Sequence, residues 1–388
     1  MAYDAIIVGA GYAGAVSARC LAEDGKMVLV LEKRDHIGGN AYDRVDENGV
    51  RRHVYGPHLF HTNSKQAVDF LSRFTDWYPF EHRVLGYIEG QTVPVPFNLT
   101  SIEKLFAPEK AEHLKQELIK AYGMECKVPI LELRKNEDPE IKELAEYIFE
   151  HVFKYYTMKQ WGYTAEEIDP AVTARVPVHI SYDDRYFQDT YQIMPAEGYA
   201  ALFEKMLAHE NITVRTGVDA LDHVRIDTRT KKILLDGELF AGDLIWTGLV
   251  DSLLGYRFGA LPYRSLEFDV RTEKAGFQPA VTVNYPTPAE IHPYTRISDY
   301  GMMMQTPPSV TTTAACEYPY AYDGNAEKGN VPYYPVFTED SKAQYNRYAR
   351  ELAKIPNLHL LGRLAEYRYY NMDSMTERAL EFCRGLKH

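Results

Sequence analysis

The stretch GRLAEYRYYNMD, residues 362–373, sets three tyrosines and two arginines within twelve positions. Guanidiniums grip phosphate oxygens through paired N–H donors, and phenols add neutral donors beside them. Two more arginines lie in polar surroundings: Arg175 at the end of YTMKQWGYTAEEIDPAVTARVP, and Arg296 in PYTRI. The run HVYGPHLFHT places His53, His58 and His61 around a Gly-Pro turn. No carboxylate or cysteine accompanies them at metal-ligand spacing, so no metal is expected. Tyrosine (30) nearly doubles phenylalanine (16). Because a buried phenol needs a hydrogen-bond partner, this excess points to a polar cavity lined with hydroxyls.

Those side chains need a frame, and the N-terminal end supplies its first part. In AIIVGAGYAGAV, Gly9, Gly11 and Gly14 form GxGxxG between an apolar run and a helical stretch. A second apolar run, Val28–Leu31, ends at Glu32, eighteen residues after Gly14. Strand, glycine turn, helix, strand and acid in that order form a dinucleotide signature. The glycines let backbone approach a pyrophosphate, the helix N-terminus favours its charge, and the acid takes a ribose hydroxyl. The following RDHIGGN, with Gly39 and Asn40, resembles the second glycine turn of the long FAD-binding enzymes related to amine oxidases. NITVRTGVDALDHV resembles their strand near the adenine, around Val218, and KKILLDGELFAGDLIWTG a hairpin feeding a strand that ends at Thr247.

The expected fold class is α/β, with a discontinuous Rossmann-like FAD-binding domain, a helical domain and an antiparallel β-sheet domain. Residues 1–80, 194–250 and 340–388 are assigned to the first, and 98–175, with a mobile loop, to the second. The antiparallel substrate domain takes 81–97, 176–193 and 251–339. The resemblance to those FAD-binding enzymes implies that the final helix directs its N-terminus, Asn371 to Asp373, at the flavin carbonyl edge, with Asp373 or Ser374 as cap.

Composition narrows the field. A chain of 388 residues exceeds what one core usually serves, so two or three domains are expected. The net charge of −12 argues against a nucleic-acid partner. Four scattered cysteines fit a reducing cytoplasm. The apolar start is too short for a membrane span, so no membrane insertion is expected.

VGAGYAGAV, DHIGGN, HVYGPHLFHT, YTMKQWG, RVPVHISYDDRYFQDTYQIMPAEGY, YRFGALPYRSLEFD, HPYTRI and GRLAEYRYYNMD together resemble the bacterial UDP-galactopyranose mutase family, in order and over essentially the whole chain. The resemblance implies that Arg175 and Arg296 grip the two substrate phosphates, with Tyr186, Tyr318 and Tyr369 bonding the same groups. It implies that Tyr156 stacks on uracil, that Trp161 moves with the loop, and that Asn284 and His82 also contact substrate. For FAD it implies Gly9, Gly11, Gly14, Glu32, Gly39, Asn40, His58, His61, Val218, Arg264, Gly362, Arg363, Asn371 and Met372, with His58 by the flavin N5 face. Some members carry Asp at Asn371, Asn at His82, and Pro at Leu249.

The implied reaction interconverts UDP-galactopyranose and UDP-galactofuranose, supplying furanose for cell-surface polysaccharides. Ring contraction moves no net electrons, so the resemblance implies that reduced FAD acts through N5 as a nucleophile, via a flavin–galactose adduct. The family also implies a homo-oligomer. Three rivals share part of the signature. An amine-oxidase-like flavoenzyme has no need of the Arg175–Arg296 pair, a non-catalytic nucleotide-sugar binder would not turn over, and an NAD dehydrogenase leaves DHIGGN unexplained.

Overall fold

The computed structural model describes residues 3–164, 167, 176–304 and 310–386. Its first sheet has five parallel strands, in the order Ile212–Arg215, Val28–Leu31, Ala5–Val8, Asp243–Trp246 and Leu358–Leu360. Helices cover both faces of such a sheet, which is why Val28–Leu31 is continuously apolar and fully buried. The chain leaves Ala5–Val8 through the glycine turn and enters the Tyr12–Glu23 helix. A Cβ on Gly14 would stand 1.9 Å from the Gly9 carbonyl oxygen, so no side chain fits there. The alanine-rich Tyr12–Glu23 helix lets the final helix, Met372–Leu386, pack closely, and the Cys383 thiol reaches the Ser17 carbonyl at 3.9 Å.

The second sheet has seven strands, from Tyr334–Pro335 through Tyr263–Lys274, Thr311–Ala321, Arg296–Asp299, Thr282–Asn284 and Val84–Ile88 to Gln91–Val95. Its neighbours pair antiparallel except Thr282–Asn284 with Val84–Ile88. Residues 176–193, expected in this sheet, do not join it. Val178–Ile180 pairs with Cys126–Val128, and Tyr191–Pro195 pairs with Phe60–Thr62 and Trp77–Pro79. Alternating apolar residues specify a strand but not its partner, and these two found partners outside the large sheet.

Between Asn98 and Trp161 the chain is mainly helical with its own core, including Ile102, Leu118, Ile141 and Ile148. Asn98 starts it with a capping box, and Asp138 caps Pro139–Ile148 through the amides of Glu140 and Ile141. A π-helical stretch, Phe149–Lys154, then runs into the Tyr155–Trp161 helix. The last helix begins at Met372, so Asp373 lies in its first turn rather than before it. The Asp373 carboxylate accepts the Thr62 hydroxyl at 2.7 Å and the Ser374 amide at 2.7 Å, tying the helix start to the Phe60–Thr62 strand.

Candidate active site

A cavity of about 490 Å³ opens between the seven-stranded sheet, the Tyr155–Trp161 helix and the start of the last helix. Strand alternation builds its floor: Val84 and Gly86, then Thr282 and Asn284, then Arg296 and Glu317 on successive strands. The helix contributes Tyr156, Thr157, Gln160 and Trp161, one side of a single helical turn and a half. His58 enters from the Gly-Pro turn, and Tyr333, Tyr334, Arg363, Tyr369, Asn371 and Met372 close the far end.

Arg296 and Glu317 face each other across neighbouring strands in register. The guanidinium donates from Nε at 2.9 Å and Nη2 at 2.7 Å to Oε2 of Glu317, which is 1% exposed. Burial opposes the charge on Arg296, but the Glu317 carboxylate outweighs it and holds the guanidinium firmly protonated. The pair uses two of the five N–H donors of an arginine, and the others meet no hydrogen-bond partner among the described residues. Arg363 is held differently. It donates to the carbonyls of Tyr333 and Tyr370 and lies over the rings of Tyr369 and Tyr334, at 4.8 and 5.2 Å. No carboxylate pairs with it among the described residues, so its positive charge faces the cavity uncompensated.

Two of the cavity histidines, His58 and His82, are neutral. Burial, then the neighbouring His53, pushes His58 down to about 3, and burial with Arg296 does the same to His82. Tyr156 is raised, chiefly by burial, and Tyr334 is pushed up to about 12 by burial and Tyr369. The cavity therefore offers phenolic O–H and guanidinium N–H donors. Nδ1 of His82, Oδ1 of Asn284 and Oε1 of Gln160 are buried without a partner among the described residues. Such atoms are costly unless a ligand or water meets them.

Of the residues singled out in the sequence, Arg296, His58, His61, Tyr156, Trp161, Tyr186, Asn284, Tyr369, His82, Arg363, Asn371 and Met372 line this cavity. Arg175 lies outside the described residues. Tyr318 does not line it. It follows Glu317 on one strand and so points to the opposite face, where it meets Tyr294 at 5.9 Å. Arg264 does not line it either, because its guanidinium is spent on the carbonyls of Gln160 and Lys159, at 2.9 and 3.0 Å. It caps the Tyr155–Trp161 helix. Trp161 is 7% exposed and packs near Tyr334, with ring centroids 5.9 Å apart. His61 stacks on Phe187 and bonds Asp189 through Nδ1 at 2.8 Å.

Glu317, Tyr333 and Tyr334 were not anticipated. The doublet in VPYYPV, within so marked a tyrosine excess, was the available signal for the latter two. For Glu317 it was a lone acid ending the small, apolar run TTTAAC.

The glycine turns form a second feature beside the cavity. A Cβ on Gly39 would stand 2.9 Å from the Cα of Gly11, so the two turns approach backbone to backbone. The Glu32 carboxylate accepts the amides of Ala10 at 2.8 Å and Arg34 at 2.9 Å, and Val218 donates its amide to the Glu32 carbonyl at 2.9 Å. Asn40 steadies the Arg34 guanidinium through Nη2 at 2.8 Å, while Nη1 is buried with no partner among the described residues. Gly362 closes against this turn, where a Cβ would stand 3.2 Å from that of Ala13. A buried guanidinium nitrogen without a partner among the described residues, two glycine turns that leave no room for side chains between them and a helix N-terminus fit the pyrophosphate of FAD.

Comparison with known proteins agrees with this geometry. The family described as UDP-galactopyranose mutase matches residues 151–369, and an NAD(P)-binding Rossmann-like domain matches residues 7–74. UDP-galactopyranose mutase of Mycoplasma pneumoniae is 34% identical over 384 residues, covering 97% of this chain and 94% of that protein. dTDP-fucopyranose mutase of Escherichia coli is 32% identical over 378 residues, covering 97% and 96%. A crystal structure of reduced UDP-galactopyranose mutase superposes with a TM-score of 0.70 at 17% identity, covering 100% of this chain and 94% of that one.

Proposed function

The chain belongs to the UDP-galactopyranose mutase family, whose members are FAD-dependent enzymes, and we propose that it interconverts UDP-galactopyranose and UDP-galactofuranose in this cavity. The observation that carries the reading is the convergence of Arg296 with Glu317, Arg363, Tyr156, Tyr334 and Tyr369 on one space beside the FAD cradle. Gly9, Gly11, Gly14, Gly39, Glu32 and Arg34 would hold the dinucleotide, and His58, Asn371 and Met372 would face its reactive end. The chemistry that FAD supplies there, once reduced, is nucleophilic catalysis from N5 at the anomeric carbon without net electron transfer.

The chain's own residues do the remaining work. Arg296, held in one orientation by Glu317, and the uncompensated Arg363 would take the developing charge of the UDP leaving group. Arg175 would add a third guanidinium. Tyr156, Tyr186, Tyr334 and Tyr369 would fix the nucleotide while the sugar opens and recloses, keeping UDP in place for recapture. Neutral His58 and His82 suit hydrogen bonding to sugar hydroxyls rather than proton transfer. The product would feed cell-surface polysaccharide from a cytoplasmic homo-oligomer. No described helix is long and apolar enough to cross a membrane.

The relative acting on a dTDP-sugar supports a second substrate, since its identity to this chain is close to that of the UDP-galactose relative. A fucose lacks the 6-hydroxyl of galactose, and thymine adds a methyl to uracil. One assay addresses both. Dithionite-reduced protein is incubated with UDP-galactofuranose or, in parallel, dTDP-fucopyranose, and the isomer formed is resolved by chromatography. Conversion of neither refutes the reading, and a larger kcat/KM for the thymidine sugar replaces the substrate.

A further inference from the structure

Lys159 sits on the same helix as Tyr156 and Trp161 but does not line the cavity. Its ammonium instead donates to three backbone carbonyls: Tyr285 at 2.6 Å, His292 at 2.9 Å and Tyr294 at 2.8 Å. An ammonium has three N–H donors, and all are used. No carboxylate pairs with it among the described residues. The three acceptors belong to the loop joining the Thr282–Asn284 and Arg296–Asp299 strands. Tyr285 directly follows Asn284, and Tyr294 stands two residues before Arg296, so the clasp holds the loop next to each of two cavity residues. The carbonyl of Lys159 meanwhile accepts from Arg264, on the Tyr263–Lys274 strand. One residue thus joins the helical wall to the sheet floor in two places.

We propose that Lys159 is a positioning residue for the reaction: by clasping the 285–294 loop to the Tyr155–Trp161 helix, it sets the separation between Tyr156 on one wall and Asn284 and Arg296 on the other. The inference rests on the nucleotide-sugar reading given above. A wider gap would leave the two walls unable to hold one substrate together, so the loss should appear in KM before kcat.

The clasp depends on the charged amine. Burial lowers Lys159 to about 8, and three carbonyl acceptors favour the ammonium, so the proton is held at neutral pH. The other groups facing it do not supply this titration. His292, lowered by burial and by Lys159, bonds Thr287 through Nδ1, while burial raises Tyr285 and Tyr294. Burial lowers Arg264 somewhat, but guanidiniums stay charged in proteins. Deprotonation of Lys159 removes one donor and the charge from the other two.

The test uses the FAD-loaded full chain as wild type, Lys159→Met and Lys159→Arg, with FAD content, KM, kcat and the pH profile measured for each. Lys159→Met should keep FAD and raise KM for UDP-galactopyranose by on the order of tenfold, with kcat changed far less. Wild-type kcat/KM should fall as pH rises past about 8, and Lys159→Arg should move that limb upward because its charge persists. A merely structural lysine would not link KM to a titration that arginine displaces. An FAD-loaded Lys159→Met with wild-type KM overturns the proposal. Should that variant not accumulate as a flavoprotein, identical alkaline limbs for wild type and Lys159→Arg between pH 7 and 10 overturn it. Wild-type protein inactive on UDP-galactopyranose refutes the substrate instead, whereas an active wild type matched by Lys159→Met refutes the clasp.

Discussion

Replacing Arg296 with alanine would remove the proposed phosphate contact and also strand a buried acid. In the intact protein Nε and Nη2 lie 2.9 and 2.7 Å from one oxygen of Glu317. Without them, the carboxylate keeps the Thr295 hydroxyl at 3.4 Å as its side-chain partner. Breaking a buried pair from one side destabilises by about 3–5 kcal/mol. Protonating the stranded acid relieves the loss, and each pH unit of acidification makes that protonation easier by about 1.4 kcal/mol. Between pH 7.0 and 5.5 the deficit against wild type should therefore shrink, by no more than about 2 kcal/mol, the limit for one proton. The sign follows from linkage: the folded variant holds this proton more tightly than its unfolded chain, so its stability falls as pH rises. Urea unfolding followed by far-UV circular dichroism at the two pH values measures the difference. A double Arg296→Met, Glu317→Met variant should regain stability but remain inactive. For activity, two charge-assisted bonds to phosphate at about 1.5–3 kcal/mol each predict a fall in kcat/KM on the order of 10²–10⁴-fold. Arg296→Lys should recover little, since a point charge cannot reproduce the fork. Equal stability deficits at both pH values, or an alanine variant with wild-type kcat/KM and normal FAD, would refute the reasoning.

Other outcomes follow from the same geometry. Gly14→Val should yield protein without FAD, because its Cβ alone would stand 1.9 Å from the Gly9 carbonyl oxygen; an absorbance spectrum with stoichiometric flavin contradicts this. Tyr334→Phe should lower kcat/KM by about three- to tenfold, the worth of one neutral hydrogen bond, while Tyr318→Phe should leave it unchanged. Equal effects would show that strand alternation does not separate the two residues. Turnover should require reduced flavin yet consume no reductant, and cyanoborohydride added during turnover should leave a galactosylated flavin detectable by mass spectrometry. Equal activity of oxidised and reduced protein would remove the nucleophilic role.

The dinucleotide cradle was legible because its physics is local. Gly9, Gly11 and Gly14 lie within six residues, and the requirement for close backbone approach acts on the turn itself. Arg296, Tyr156, Tyr186 and Tyr369 could be singled out by type and by the resemblance of their surroundings. Their meeting in one cavity depends on contacts between distant segments. Glu317 shows the limit plainly, since a single acid in a strand carries no mark of its partner.

The sequence by itself determined the strand–turn–helix suited to a dinucleotide, the alternation that makes a sheet with one polar face, and the kind of side chain suited to phosphate. Tertiary structure decided which face each strand turns inward and which strands become neighbours. Register placed Glu317 against Arg296, sent the adjacent Tyr318 to the other side, and brought Tyr334 to the cavity end beside Tyr369. It also carried the Lys159 ammonium to carbonyls more than a hundred residues along the chain. The physical reason is that side-chain direction in a strand has a period of two, so a shift of one residue exchanges the two faces. Only burial against the rest of the molecule chooses between them.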